Sequence, residues 1–168
     1  MDTRKLLIVY FSRSGTTRAV ARLLAQKLQC DSEEIRPRTS YFGWLGYQRA
    51  LVHSTFRKQP PIELLRVNPG DYDLILVGGP VWGASIPAPI RSFLNLYKSQ
   101  LKNVAFFLTQ GGEMGRGRFF EQMQEASQRK PLALLAVKEE EVRLGRVNRK
   151  ISVFLAKIKQ PQPEEFYL

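Results

Sequence analysis

Ser12, Arg13, Ser14, Gly15, Thr16 and Thr17 follow one another directly after the apolar run from Leu6 to Phe11, and a helical pattern opens behind them. Residues of these types at a strand-to-helix junction do one kind of chemistry well, which is to hold an anion. The backbone N–H groups of such a junction point to where the helix dipole favours negative charge. The hydroxyls add short neutral donors, and Gly15 lets the backbone approach a bound group with no Cβ in the way. The loop suits a terminal phosphate and needs no lysine. It has neither the Gly-x-x-x-x-Gly-Lys-Ser/Thr of a triphosphate loop nor the Gly-x-Gly-x-x-Gly of a dinucleotide fold, so it points to a monophosphate. Taken alone, a tight turn with ordinary helix capping accounts for the same residues.

Two later stretches have a related character. Gly78-Gly79-Pro80-Val81-Trp82-Gly83-Ala84 reads as a strand ending in two glycines, followed by a tryptophan between residues that shape the backbone. Trp82 offers a flat face for stacking, and Gly83 a peptide free to rotate. Trp82 as a half-buried core residue is the plainer account. Thr109-Gln110-Gly111-Gly112 closes another apolar run, and its glycines free backbone N–H groups for the carbonyl oxygens of a planar ring. A phosphate cradle, an aromatic wall and a loop of backbone donors at one sheet edge together describe a site for flavin mononucleotide (FMN).

The elements that must position these loops are legible as alternating periods. Leu6–Phe11, Ser32–Arg36, Leu74–Val77, Val104–Thr109 and Leu132–Val137 read as strands, four of them continuously apolar as in a sheet covered on both faces. Between them Val20, Leu23, Leu24 and Leu28, then Ile90, Phe93, Leu94 and Tyr97, then Phe119, Phe120 and Met123, fall at helical spacing, and Ile151, Phe154, Leu155 and Ile158 end the series. The first helix is capped by Ser14 or a neighbour, and Pro87 and Pro89 suit the first turn of another. Strand and helix alternating in this way predict an α/β doubly wound parallel sheet with helices on both faces. Ligands of such sheets bind at the carboxyl ends of the strands.

The motifs resemble those of the flavodoxin family. SRSGTT is similar to its phosphate loop, GGPVWGASIPAPIRSFL to its second flavin loop and following helix, and FFLTQGG to its third loop, in that order along most of the chain. The resemblance implies a five-stranded sheet of order 2-1-3-4-5 in one domain, residues 1–168. It implies that Ser12, Arg13, Ser14, Gly15, Thr16 and Thr17 hold the FMN phosphate, with Arg13 giving at least its backbone N–H. Pro80, Val81, Trp82, Gly83 and Ala84 would line the isoalloxazine, and Thr109, Gln110, Gly111 and Gly112 would close its polar edge. A peptide flip at Gly83 would turn a carbonyl toward the flavin N5–H on reduction. The implied activity is that of an oxidoreductase or electron-transfer protein. Its donor would be NAD(P)H or a reduced protein, and its acceptor a quinone or a protein.

Two features depart from carrier flavodoxins. The third loop has no aromatic residue, and the net charge is +11 where carriers are acidic. Both favour a flavodoxin-like reductase. The charge also sustains a different expectation, a basic module that docks on an acidic protein or, less aptly, nucleic acid, without redox activity.

The remaining candidates are weak. Cys30 and Arg36 have the Cys-x5-Arg spacing of a phosphatase loop, but the intervening DSEEI repels phosphate and lacks glycine. His53 is the sole histidine and Cys30 the sole cysteine, too few for a metal site. With no internal disulfide possible, and with Leu6–Phe11 too short for a signal peptide or a span, the chain reads as cytoplasmic. Arg116 and Arg118 flank the third loop, within reach of a 2′-phosphate or an acidic partner. Glu139-Glu140-Glu141 reads as a solvated turn. In YFGWLGYQRALVHSTF, residues 41–56, Leu45, Val52 and Phe56 read as a helix face covering the sheet. Tyr41, Phe42, Trp44 and Tyr47 are left to roof the flavin, line a quinone pocket or form a homodimer interface. The stretch from Gln160 reads as a loose tail.

Overall fold

A computed structural model describes residues 4–160 of the chain. Its strands are β1 (Leu6–Tyr10), β2 (Asp31–Glu34), β3 (Leu74–Pro80), β4 (Asn103–Gln110) and β5 (Pro131–Lys138). They form one parallel sheet of order β2-β1-β3-β4-β5. The helices are α1 (Thr16–Leu28), α2 (Gly43–Thr55), α3 (Ala88–Tyr97), α4 (Arg116–Ser127), the short α5 (Glu139–Arg143) and α6 (Asn148–Lys159). The expected fold class and strand order are those observed. The tail with Phe166, Tyr167 and Leu168 lies outside the described residues.

Strand alternation divides the core in two. Leu7, Val9, Ile75, Val77, Val104, Phe106 and Leu108 face the layer of α2, α3 and α4 with Phe93 and Phe119. Leu6, Ile8, Leu74, Leu76, Ala105 and Phe107 face α1 and α6 with Leu24 and Phe154. Both faces are covered, which is why these strands are apolar at every position.

Four boundaries differ from the sequence reading. The second strand is Asp31–Glu34, an edge strand whose polar side chains face solvent, and not Ser32–Arg36. β3 runs on through Gly78, Gly79 and Pro80. The glycines are packing residues: a Cβ on Gly78 would stand 2.3 Å from the Phe107 ring, and one on Gly79 2.2 Å from Ile90 Cδ1. Glu139–Glu141 open the helix α5, where acidic side chains suit the first turn. The fourth correction is to α2. Its covering face is Gly46, Ala50 and Ser54, while Leu45, Val52 and Phe56 point outward. A Cβ on Gly46 would stand 2.3 Å from the Tyr41 carbonyl carbon, so only small residues let this helix approach.

Candidate FMN site

The register aligns Tyr10 with Gly78 and Pro80 with Thr109, so the ends of β1, β3 and β4 reach one edge together. The loops behind them are joined by hydrogen bonds. The hydroxyls of Thr17 and Thr109, both buried, lie 2.7 Å apart and link the first loop to the third. Val81 N donates to Thr109 O at 3.0 Å and links the second to the third. Gly115, at φ +90°, follows the third loop so closely that a Cβ there would stand 2.7 Å from Ala84 Cα.

In the first loop Gly15 is the N-cap of α1, at φ +99°, and a Cβ there would meet nothing within 4 Å. That is an open approach over a helix N-terminus. Ser14 does not cap the helix; Ser12 Oγ accepts from Gly15 N and Arg18 N, each at 3.2 Å. Arg18 makes a two-point ion pair with Glu34 of β2, Nε to Oε2 at 3.0 Å and Nη2 to Oε1 at 2.8 Å. This pairing removes one cation from the loop's field. Arg13 stays: its Nε donates to the Tyr41 carbonyl at 3.0 Å, and its guanidinium lies 5.3 Å from the Tyr47 ring centroid. A cleft of about 490 Å³, a common ligand-pocket size, lies beside Ser12 and Arg13 and runs along residues 34–42. Residues of the second and third loops do not line it.

The second loop is a tight turn, Trp82 to Ser85, closed by Trp82 N to Ser85 O and Ser85 N to Trp82 O, both 2.9 Å. Gly83 at φ 53° and Ala84 at φ 57° are both left-handed. Trp82 is only 8% exposed, and its ring meets Phe11 and Tyr41 edge-on at 5.2 and 5.4 Å. In this conformation it is a core residue and not an open wall. Pro80 and Val81 are half-buried and Gly83 is exposed.

In the third loop Gly111 and Gly112 are exposed, and nothing within 4 Å would meet a Cβ on Gly112. Gln110 is buried, and among the described residues its Oε1 has no partner. A buried carbonyl-type oxygen without a donor carries a desolvation cost, and it suits an N–H of a ring docked at this edge. An ion pair between Glu113 and Lys138 ties the far side of the loop to β5. Arg116 and Arg118 are exposed at the start of α4. The residues present fit FMN in two respects, the open Gly15 cradle and the orphaned Gln110 oxygen.

Two side chains, Arg91 and Gln122, carry no signal in the sequence pattern. Arg91 of α3 is 6% exposed although nothing in its neighbourhood marks it as buried. Its Nη2 donates to Gln122 Oε1 at 3.1 Å and Ser85 Oγ at 3.3 Å, so its hydrogen-bond acceptors there are neutral. Gln122 Oε1 also accepts from Ser85 Oγ at 2.6 Å and Ile86 N at 3.3 Å. Burial lowers the Arg91 pKa, and Arg57 lowers it further against the opposing field of Glu125. This network fixes the C-terminal end of the second loop from behind. The Tyr41 hydroxyl lies 2.8 Å from His53 Nδ1, and burial pushes its phenol up to about 12. Burial also pushes the Cys30 thiol up to about 11, with Asp31 adding to it, which keeps it protonated and unreactive.

The family profile of flavodoxin matches residues 5–137. This chain belongs to the flavodoxin family. It is similar to a flavoprotein of Lactobacillus acidophilus NCFM crystallised in complex with FMN. That likeness has 26% identity and a TM-score of 0.68 over 84% of this chain and 98% of that one. A protein of Bacteroides eggerthii DSM 20697 taken for a flavoprotein matches at 22% identity and TM-score 0.69, over 91% of this chain and 99% of its own. The flavodoxin, WrbA-like protein of Agrobacterium tumefaciens matches at 12% and 0.55, over 92% and 99%. For the last two the likeness is one of fold. No protein with a curated description matches the sequence. Among the described residues no helix of this flavodoxin-family chain is long and apolar enough to cross a membrane.

Proposed function

We propose that this chain is an FMN-dependent oxidoreductase of the flavodoxin family. The observation that carries the reading is the convergence of the loops, through the Thr17–Thr109 hydroxyl contact, at one sheet edge that also holds the orphaned Gln110 oxygen. The FMN bound by the Lactobacillus acidophilus relative supports it. FMN, when bound, takes electrons from NAD(P)H or a reduced protein and passes them to a quinone or a protein acceptor.

Ser12, Arg13, Ser14, Gly15, Thr16 and Thr17 hold the phosphate through backbone N–H groups at the start of α1. Pro80, Val81, Trp82, Gly83 and Ala84 form one side of the ring site, and Thr109, Gln110, Gly111 and Gly112 its polar edge. The Gly83–Ala84 peptide is the part able to move. Turning it takes Ala84 out of the left-handed region and leaves Gly83 in a conformation that glycine tolerates. A lone half-buried thiol suits a reducing compartment, and the proposed location is the cytoplasm.

The visible absorbance spectrum of the purified protein, taken before and after adding FMN and desalting, tests this. Retained flavin bands are expected. In Gly15→Val the Cβ enters the open approach at a positive φ, and affinity should fall by about 10-fold or more. Thr16→Val, which leaves the backbone undisturbed, serves as the second variant and should weaken binding less. A wild type that is folded by circular dichroism and keeps no FMN at low salt would overturn the reading. It would leave the basic docking module, whose binding to an acidic partner would fall steeply with salt.

A further inference from the structure

α2 is apolar on both of its sides. Its inner side is satisfied by Gly46, Ala50 and Ser54 against the body of the protein. On its outer side Trp44, Leu45 and Phe56 are 71%, 75% and 69% exposed, Val52 is exposed with them, and Phe42 stands exposed just before the helix. Leu45, Val52 and Phe56 recur at spacings of 7 and 4, which makes them one stripe along the helix. An exposed apolar stripe along a helix asks for a covering surface, and a stripe of this kind marks a docking site.

The charge around the stripe says what kind of surface. Between Glu34 and Glu63 the chain has no acidic residue; Arg49 lies on α2 and Arg57 and Lys58 follow it directly, while Arg36 and Arg38 line the cleft with Glu34 and Glu63. Of Arg49, Arg57 and Lys58, only Arg57 pairs with a carboxylate among the described residues, the exposed Glu125 of α4, at 3.3 Å. Arg49 reaches back to the Ser40 carbonyl at 3.1 Å, which leaves its charge beside the apolar stripe. A second copy docked through the same face would set these cations against their own counterparts, which repel. Aromatic and aliphatic side chains bordered by arginine and lysine are the pattern of a helix lying in the interface of an anionic bilayer.

We infer that the outer face of α2 docks on an anionic membrane surface, with Trp44, Leu45 and Phe56 entering the headgroup boundary and the flanking arginines and Lys58 on the phosphates. The docked face is next to the second loop. Tyr41, just ahead of α2, meets Trp82, and Leu51 Cδ2 stands 3.7 Å from where a Gly83 Cβ would lie. If the reading of the site as an FMN oxidoreductase holds, docking sets that site beside a lipid phase, where an apolar quinone acceptor dissolves. The docking itself does not depend on that reading.

Tryptophan fluorescence separates the two indoles, because Trp44 is exposed and Trp82 is buried. Purified full-length protein is mixed with phosphatidylcholine vesicles, with or without phosphatidylserine, and followed by emission and by flotation. The expected result is a blue shift and co-flotation with phosphatidylserine vesicles alone, both lost at high salt. Trp44→Ser with Phe56→Ser, two exposed positions whose loss leaves the melting curve unchanged, should cut partitioning by about 10-fold or more. No flotation, equal flotation with neutral vesicles, or undiminished flotation of the double variant would overturn the inference. Concentration-dependent dimerisation that the double variant abolishes, without vesicle binding, would overturn it in favour of a second copy on this face.

Discussion

Ala84 is one of four described non-glycine residues in the left-handed region. It sits at φ 57° in the second loop, with Gly83 beside it at φ 53°. A turn of this kind has both central residues left-handed and favours glycine at the second of them, because a Cβ there crowds the carbonyl. Ala84→Gly should therefore stabilise the protein by about 0.5–1 kcal/mol, once the greater freedom of glycine in the unfolded chain is subtracted. In a chain of this length that is a rise of about 1–4 °C in the melting temperature. A melting temperature that stays put or falls would mean that the turn holds Ala84 without strain. At this scale the sequence was informative where residue type and order suffice. The hydroxyls and glycine of Ser12–Thr17 are the case in point, and so is Thr109, which meets Thr17 across the sheet edge. Arg91 was illegible, because its acceptor Gln122 lies 31 residues further on and no local pattern announces a buried arginine.

At the scale of elements, Gln122 ties α4 to α3 and to the second loop through a single carbonyl oxygen. That atom accepts from Ser85 Oγ, Ile86 N and Arg91 Nη2. Gln122→Leu keeps the volume and removes the acceptor, leaving a buried cation with one bond fewer. The expected cost is about 2–3 kcal/mol, or roughly 5–10 °C in melting temperature. Adding Arg91→Leu should return part of that loss, because removing both partners leaves no charge stranded. Additive losses in the double variant would show that the two side chains act separately. Strands with both faces covered were readable because burial on both sides makes every position apolar, as in Leu74–Val77. The orientation of α2 was not. Its apolar residues occupy both sides, and which side faces in was decided by the small residues Gly46, Ala50 and Ser54 that permit close approach to Tyr41.

At the scale of the whole molecule, three arginines stand beside the loops of the candidate site. Arg13 is held beside the first loop by the Tyr41 carbonyl, and Arg116 and Arg118 open α4 just past the third loop. Arg18 is cancelled by Glu34, and the +11 excess of the chain supplies a positive background. Were FMN bound, its uptake of two electrons and only one proton would leave a negative charge on the isoalloxazine. A positive field favours that form and raises the two-electron potential relative to an acidic carrier of the same fold. Because the arginines are exposed, mobile ions screen them over about 10 Å at moderate ionic strength. The midpoint potential of the FMN-loaded protein should therefore fall as salt is raised, and Arg116→Gln with Arg118→Gln should lower it at low salt and flatten the salt dependence. Those two residues lie outside the phosphate loop, so FMN retention should be unchanged and serves as the internal control. A potential as low as an acidic flavodoxin's, insensitive to salt in both proteins, would mean that the excess charge acts on a docking partner and not on the ring.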